Sequence, residues 1–440
     1  MNMNKLVMRI FKSRSIQNSG WIIAQQIFQM LLQLIVGVLT ARYLGPSNYG
    51  TLNYTASFVS FIMAVATLGM DSVLIKKLID YPEQEGLYLG STMVFRLIAS
   101  VMSSISISIT VAVLNPDDAL KVTLVFLQSF QLSFRAIQIL DAWFKRHLKS
   151  KYVSIGKMLA GLIVSFYKVF LLFTAKNIVW FAISNSLTDG IVAVVEILFY
   201  KKEKGQKLRF NVDIGFSVLK ESYHFIISGI MVGLYTQMDR IMIGQLLSDK
   251  DVGLYTTAAA ICGMWIFIPT AIIDSFQANI MEEKKSGNES RYILRLEQLY
   301  SFIIWMCLIV SLCVSVIAGP VVNLMYGSAY MGAVETLKIL IWSETFSMIG
   351  TARGIWILCE NKNRYVKYYL FVGTVINLTL NSILIPRLGI NGASFATLAT
   401  QVTTSIIAPT FFKETRIHTR IVLEAASFKW FWNRKKKGVS

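Results

Sequence analysis

The sequence contains few of the residues from which catalytic and metal-binding sites are built. Its 440 residues include three histidines and four cysteines, and no two cysteines form a CxxC pair. No phosphate-binding loop, HExxH or GxSxG motif occurs, which argues against a nucleotide-driven pump, a zinc protease or a serine hydrolase. We therefore expect no catalytic residue, no metal site and no bound cofactor, and the chain is not predicted to be an enzyme.

Charged residues are also scarce. They make up 15% of the chain, and hydrophobic residues make up 54%, whereas soluble domains carry roughly 25% charged residues. A helix that crosses a bilayer needs about 20 apolar residues. The predicted spans are 18–42, 51–75, 91–114, 118–142, 153–175, 178–200, 222–247, 252–277, 297–318, 333–358, 366–386 and 391–412. The composition thus predicts an all-α integral membrane protein of about 12 transmembrane helices, without a loop long enough to fold alone.

The formal net charge of +18 does not indicate nucleic-acid binding, because the basic residues occupy alternate loops. These loops lie at 76–77, 145–151, 201–209, 284–295 and 362–367, and both termini are basic as well. Loops rich in Lys and Arg remain in the cytoplasm. The alternation predicts a multi-pass protein with both termini in the cytoplasm.

The two halves of the chain resemble each other at one fixed offset. Thr67–Ser72 and Thr270–Ser275 share the pattern TxxxDS at an offset of 203 residues, and Gly50 matches Gly253 at the same offset. A repeat of six helices keeps its orientation in the membrane, as in transporters that expose a substrate to each side in turn. The predicted parts are an N-terminal six-helix lobe at 1–209, a C-terminal six-helix lobe at 210–413 and a basic, aromatic cytoplasmic tail at 414–440.

Charged side chains within the predicted spans are candidate functional groups, because each costs about 2.5–3.5 kcal/mol at the bilayer centre. Asp189 and Lys168 lie on consecutive spans, where they form either a substrate or proton site or a structural ion pair. Asp239 and Arg240 lie in span seven. The guanidinium of Arg240 either holds a phosphate or extends to the outer membrane interface.

Glutamines form stripes on two predicted helices. Their spacing of three, four and seven residues places them on one helix face, which must contact protein or water. The stripes comprise Gln25, Gln26, Gln29 and Gln33 in span one, and Lys121, Gln128, Gln131, Arg135 and Gln138 in span four. Amides both donate and accept hydrogen bonds, as sugar hydroxyls require. The stripes therefore line a hydrated cavity or join helices by hydrogen bonds.

Two aspartates occupy matching places in the repeat. Asp71 and Asp274 lie near the inner ends of spans two and eight. They form either a pair at the inner mouth of a cavity or ordinary polar helix ends. Arg96, also near an inner end, is predicted to extend to the membrane interface.

Two segments carry a resemblance to a known family. Ala41–Gly50 (ARYLGPSNYG) is similar to the start of bacterial polysaccharide flippases. Met238–Gly244 (MDRIMIG), followed by Val252–Ala258, is similar to their seventh and eighth spans. In length, span number and topology the whole chain resembles the Wzx-type flippases of O-antigen and capsule repeat units, within the multidrug/oligosaccharidyl-lipid/polysaccharide exporter superfamily.

The resemblance implies a two-lobed bundle around a cationic cavity in the bacterial inner (plasma) membrane. It implies that an undecaprenyl-pyrophosphate-linked oligosaccharide is flipped from the inner to the outer leaflet by alternating access, coupled to a proton or sodium gradient in at least some members. Membrane lipids, a polysaccharide polymerase and chain-length machinery are the implied partners, and nucleic acid is not.

These expectations assign roles to specific residues. The substrate-binding candidates are Arg42, Arg135, Lys168, Arg240, Gln25, Gln29, Gln33, Gln128 and Gln131. The coupling or gating candidates are Asp71, Asp189, Asp239 and Asp274. The alternative functions are a drug/cation antiporter of the same superfamily, which would need an acidic cavity, and a polysaccharide polymerase or glycosyltransferase, which would need a large external loop.

Overall fold

The computed structural model describes residues 14–427, with side chains from residue 20 onward. Over this range the chain is helical apart from short connections and contains no β-strand. Helices satisfy their own backbone hydrogen bonds, which the interior of a bilayer requires.

The first half of the chain forms seven helices. They are α1 (Arg14–Ala66), α2 (Asp71–Asp80), α3 (Glu85–Leu114), α4 (Ala119–Ile137), α5 (Leu140–Arg146), α6 (Ser150–Phe173) and α7 (Ile178–Lys202). The second half begins with α8 (Val212–Leu246), α9 (Asp249–Gly263), α10 (Phe267–Lys285) and α11 (Glu289–Tyr326). It continues with α12 (Val334–Cys359), α13 (Val366–Leu388), α14 (Ile390–Val402), α15 (Ala408–Phe411) and α16 (Arg416–Ala426).

Each of the predicted spans overlaps a helix. Within the described residues, eight helical segments are long and apolar enough to cross a membrane. The first of them, Gly20–Asp80, covers two predicted spans. Gly45 adopts a positive φ of 71° immediately before Pro46, and the helix bends there, between the two spans. The predicted spans at 222–247, 333–358 and 391–412 are helical but too polar to count among the eight. Twelve spans and cytoplasmic termini therefore stay predictions.

The chain divides into two compact units, Met1–Gln237 and Met238–Ser440. The division falls within α8, not at the predicted boundary after residue 209. The first part of α8 packs closely on the first unit, since a Cβ at Gly229 would meet Ala64 and one at Gly233 would meet the carbonyl oxygen of Phe61. These small residues let helix backbones approach, so the start of span seven belongs to the first unit.

The two units repeat the same helix neighbours. In the first unit α3 packs on α4, and α7 packs on both α4 and α6; in the second, α11 packs on α12, and α14 packs on both α12 and α13. Equivalent hydrogen bonds join them. Ser100 Oγ donates to the Leu132 carbonyl oxygen at 3.0 Å, and Ser311 Oγ donates to that of Ile341 at 3.0 Å. This agreement supports the six-helix repeat inferred from the TxxxDS pattern.

The start of the predicted tail is part of the second unit. Helix α16 buries His418 and Val422, and the Tyr300 hydroxyl lies 2.8 Å from His418 Nε2. Burial, together with the positive charge of Arg353, lowers the pKa of His418 well below its usual value, so the ring is neutral. The basic aromatic cluster Lys429–Lys437 lies outside the described residues.

The connection between α7 and α8 is clamped onto the start of α3. Arg209 donates its backbone N–H to the Gly86 carbonyl oxygen at 3.0 Å, and the Gly86 N–H donates to Gln206 Oε1 at 3.0 Å. The Asn211 N–H donates to Ser91 Oγ at 2.9 Å. These bonds satisfy otherwise unpaired backbone groups at the start of α3. The connection is therefore held to the first unit along much of its length.

Glycine is required where this connection crosses α3. A Cβ at Gly86 would overlap the Lys207 carbonyl oxygen, and a Cβ at Gly90 would overlap that of Arg209. Both obstacles are backbone atoms, which cannot rotate away.

We predict that Gly86→Ala and Gly90→Ala each destabilise the purified protein by about 1–3 kcal/mol, the usual cost of overpacking. The apparent melting temperature in detergent measures this. The matched control is Gly37→Ala, another helical glycine, where no atom lies within 4 Å of the added Cβ. Equal melting temperatures for Gly86→Ala and Gly37→Ala would contradict the close packing of the α7–α8 connection against α3.

Candidate functional site

Asp239 lies at the centre of a buried polar cluster in the second unit. Its carboxylate is 7% exposed and accepts four hydrogen bonds from three other helices. Asn377 Nδ2 and Asn381 Nδ2 donate to Oδ1 at 3.2 and 2.6 Å, and the Tyr255 hydroxyl and Thr397 Oγ1 donate to Oδ2 at 2.6 and 2.7 Å. These four donors are neutral. They stabilise a negative charge that burial alone would disfavour.

The same side chains are rich in oxygen atoms that can coordinate a cation. Asn381 Oδ1 is buried and has no hydrogen-bond partner within the described residues, which is costly unless another group satisfies it. Rotation of the amides of Asn377 and Asn381 would present oxygen in place of nitrogen to a cation beside Asp239. Carboxylate, amide and hydroxyl oxygens are ligands of hard cations, so the residues present fit a cation.

The charge of the cluster favours a monovalent ion. Asp239 is the one carboxylate in it, and within residues 14–427 no group of three or more His, Cys, Asp or Glu side chains is placed to hold a metal. Divalent cations are usually held by several carboxylates. A single carboxylate with neutral oxygens balances one positive charge, that of a sodium ion or a proton.

Asp189 forms a second buried site, in the first unit. Arg135 Nε lies 3.0 Å from Asp189 Oδ1, and Gln138 Nε2 donates to the same atom at 3.0 Å and to the Asp189 carbonyl oxygen at 2.9 Å. The ion pair considered between Asp189 and Lys168 is thus replaced by one with Arg135. The Arg135 side chain remains 49% exposed, so part of its guanidinium can contact a ligand.

The polar stripe of span four serves mainly to join helices. Gln128 is fully buried and donates to the Leu52 carbonyl oxygen at 3.2 Å. Gln138 Nε2 likewise donates to the Asp189 carbonyl oxygen of α7 at 2.9 Å, whereas Lys121 is 9% exposed and lies 3.5 Å from the carboxylate of Asp118, the N-cap residue of its own helix. Such bonds between membrane helices contribute about 0.6 kcal/mol each. Gln131 is half-buried, and its predicted role in sugar binding stays a prediction.

The glutamines of span one likewise include members that bond to the protein and one exposed member. Gln25 is buried and donates to Gln29 Oε1, and Gln29 Nε2 donates to the Lys157 carbonyl oxygen at 3.3 Å. The Gln29 amide joins α1 to α6, and the Gln25 amide bonds within α1. Gln33 is exposed. Of the substrate-binding glutamines predicted on this helix, it is the most accessible to a ligand.

The matched aspartates of the repeat occupy different local structures. Asp71 is the first residue of α2, where a negative charge is favourable, and Arg96 Nη1 lies 3.1 Å from its Oδ1. Arg96 is buried at 3% exposure, so it pairs with Asp71 and does not extend to the membrane interface. Asp274 lies inside the continuous helix α10 and is exposed. A coupled role for the two stays a prediction.

The remaining cationic candidates are accessible to different degrees. Arg42 is exposed near the bend of α1, and Lys168 in α6 and Arg240 in α8 are half-buried. Their roles in substrate binding stay predictions.

The sequence analysis missed most partners of Asp239. Tyr255, Asn377, Asn381 and Thr397 come from three other helices, and their meeting depends on tertiary packing. One signal was present. Asn377 and Asn381 are four residues apart in an otherwise apolar span, which places two costly amides on one face of a membrane helix.

Comparison with protein families gives one match. Residues 15–275 match the family described as polysaccharide biosynthesis protein.

Among individual relatives, the chain is 24% identical over 386 residues to the probable low-salt glycan biosynthesis flippase Agl15 of Haloferax volcanii, covering 84% of this chain and 78% of that protein. It is 21% identical over 227 residues to the lipid II flippase MurJ of Bacillus subtilis, covering 46% of this chain and 42% of MurJ. It is 25% identical over 179 residues to the probable flippase AglR of Haloferax volcanii, covering 40% of this chain and 37% of AglR. The alignments with MurJ and AglR thus span less than half of those proteins.

Solved structures show the same fold at low sequence identity. The lipid II flippase MurJ in an inward closed conformation aligns with a TM-score of 0.71 and 14% identity, covering 94% of this chain and 92% of that one. An inward-facing multidrug resistance MATE family transporter of the MOP superfamily aligns with a TM-score of 0.67 and 14% identity, covering 90% and 96%. The chain therefore shares its fold with these two solved structures. Because the family match covers more than half of the chain, this protein belongs to the polysaccharide biosynthesis protein family.

Proposed function

We propose that the protein is a flippase for a lipid-linked oligosaccharide. It moves an undecaprenyl-pyrophosphate-linked repeat unit from the cytoplasmic to the outer leaflet of a bacterial inner membrane by alternating access. The product supplies the synthesis of a surface polysaccharide such as O-antigen, capsule or exopolysaccharide. A polymerase and chain-length machinery are the partners that act afterwards. The main support for this proposal is the family match over residues 15–275, together with individual relatives that are named flippases.

The charged end of the proposed substrate matches the accessible cations. A pyrophosphate carries several negative charges, and guanidinium groups bind phosphate oxygens in a bidentate fork. Arg135 is half-exposed and oriented by its contact with Asp189, which reduces the entropy lost when it binds a ligand. Arg42, Lys168 and Arg240 are further candidates. Sugar hydroxyls would contact the accessible amides of Gln33 and Gln131.

The Asp239 cluster is the proposed coupling site. Its single buried carboxylate would bind a sodium ion or a proton, and an ion that binds one conformation more tightly than the other shifts the equilibrium between them. Entry of the ion down its gradient would thereby drive the conformational cycle. Asp71, Asp189 and Asp274 remain secondary candidates for coupling or gating.

A drug/cation antiporter is the alternative function. The similarity to the MATE transporter supports the shared fold only, because the identity is 14%. A cation-binding cavity is expected to be acidic without matching basic groups. The pairing of Asp189 with Arg135 and the half-exposed guanidinium favour an anionic cargo.

Deletion of the gene in the native host tests the proposed function. We expect undecaprenyl-linked oligosaccharide to accumulate in the inner leaflet while the polysaccharide disappears from the surface. Unchanged lipids and polysaccharide, in a strain without a related flippase, would reject the proposal. Increased susceptibility to organic cations in that strain would support the antiporter.

We predict that Arg135→Ala, Lys168→Ala and Arg240→Ala each lower surface polysaccharide, with normal insertion, because each removes a positive charge that is proposed to contact the pyrophosphate. Loss of one charge-assisted contact of about 1.5–3 kcal/mol corresponds to roughly a tenfold or larger change. The matched control is Lys338→Ala, since Lys338 pairs with Glu335 at an exposed helix start. Normal polysaccharide in all three variants at normal expression would contradict the cationic site.

We also predict that sodium raises the melting temperature of the purified protein and that Asp239→Asn abolishes this rise. A ligand at about 100 times its Kd stabilises the folded state by about 2.7 kcal/mol. Choline chloride at equal ionic strength is the control. A pH-dependent melting temperature without a sodium effect, also lost in Asp239→Asn, would assign the site to a proton. Equal behaviour of variant and wild type in both series would contradict a coupling role for Asp239.

A further inference from the structure

Glu196 is a buried carboxylate that has no part in the proposed substrate-binding or coupling sites. It lies in α7 with 1% exposure, on the same helix face as the buried residues Val192, Ala193 and Tyr200. Neither of its carboxylate oxygens has a hydrogen-bond partner within the described part of the chain. Every other buried carboxylate discussed above has at least one donor, so Glu196 is in a different situation.

Helices α6 and α7 pack closely beside Glu196. Gly156 of α6 approaches Val195 so closely that a Cβ there would lie 2.9 Å from the valine side chain. The tilted rings of Tyr152 of α6 and Phe199 of α7 lie with their centroids 4.6 Å apart. Helix α6 therefore contacts the face of α7 that carries Val195 and Phe199, next to the face that carries Glu196.

The charged groups that act on Glu196 are of both signs. They are Asp141, Lys145 and Arg135 from the helices of span four and Lys157 from α6. Two of the three cations are already engaged, since Lys145 Nζ lies 2.8 Å from Asp141 Oδ2 and Arg135 pairs with Asp189. Lys157 is half-buried and does not donate a hydrogen bond to Glu196. No cation therefore neutralises the carboxylate by direct contact.

An ionised carboxylate in such a place would be expensive. Burial of a charge without hydrogen bonds costs far more than burial of the neutral acid, and a group in this position binds a proton instead. A carboxyl group that is buried, unpaired and close to other ionisable side chains is typical of proton-binding sites.

We propose that Glu196 is a proton-binding site of the first unit, which holds a proton in the conformation described here and exchanges it when water reaches the site. Release breaks the O–H bond of the carboxylic acid, transfers H⁺ to a water molecule to give H3O⁺, and leaves the electron pair on the carboxylate oxygen. Asp189, seven residues earlier on the same helix face, is an adjacent ionisable group on a route towards the exposed part of Arg135. The inference concerns the first unit alone and does not depend on which cargo the protein carries.

Infrared spectroscopy of the purified wild type and Glu196→Gln tests the proposal. A neutral carboxylic acid has a C=O stretching band at higher frequency than an ionised carboxylate. We expect this band in the wild type at about pH 7, and we expect the difference spectrum to show that Glu196→Gln lacks the component that Glu196 contributes. In D2O the band should move to lower frequency, because the proton exchanges. Carboxylate bands in place of the acid band would overturn the assignment, and an acid band that does not move in D2O would overturn the exchange.

Two control variants separate this site from the other acidic groups. Asp189→Asn should leave the acid band unchanged, because the Asp189 carboxylate is paired with Arg135 and accepts a hydrogen bond from Gln138. Glu203→Gln, at the end of α7, should also leave it unchanged, because a hydrogen bond from Lys149 at 2.6 Å lowers the pKa of Glu203. Loss of the band in either control, with its retention in Glu196→Gln, would assign the proton to another carboxyl and reject Glu196.

Discussion

The interior of a bilayer offers no water to hydrogen-bond a charged side chain, and the arrangement of polar groups in this protein follows from that constraint. Three of the buried carboxylates meet it in different ways. Asp189 is paired with Arg135, Asp239 accepts bonds from four neutral donors, and Glu196 has neither. These three solutions have different consequences: the first orients a cation, the second suits a cation ligand, and the third favours a proton.

Most of the fold could be predicted from the sequence, because its main determinant is local. Apolar runs of span length define helices without reference to the rest of the chain. The breaks were not predictable in the same way. The bend at Gly45 divides one long helical segment between two predicted spans, and the turn before Asp71 ends a helix inside the predicted span at 51–75. Both depend on backbone conformations that a hydropathy pattern does not reveal.

The candidate sites were less predictable, because partners come from distant parts of the chain. Asp189 and Asp239 could be identified as unusual residues, but Arg135 and Asn381 became their partners only through packing. The glutamine stripes show the limit of pattern analysis. Gln128 and Gln33 look alike in the sequence, yet one is fully buried between helices and the other is exposed.

The internal repeat is a property of packing more than of chemistry. Ser186 Oγ donates to the Leu127 carbonyl oxygen at 2.7 Å, and Ser405 Oγ donates to that of Phe346 at 2.6 Å. The first contact joins the sixth predicted span to the fourth in the first unit, and the second joins the twelfth to the tenth in the second unit. The ionisable sites described above differ between the units, since the first contains the Asp189–Arg135 pair and Glu196 and the second contains the Asp239 cluster. Two units with one framework can thus carry separate tasks.

The central claim is that this chain moves a lipid-linked oligosaccharide across the membrane. The most direct measurement uses proteoliposomes that contain the purified protein and an undecaprenyl-pyrophosphate oligosaccharide, with a membrane-impermeant reagent that oxidises sugars. Without protein, only the glycan in the outer leaflet reacts. The account predicts that with protein nearly all of the glycan becomes accessible, whereas a fraction that stays equal to that of protein-free liposomes, with and without ion gradients, would contradict it.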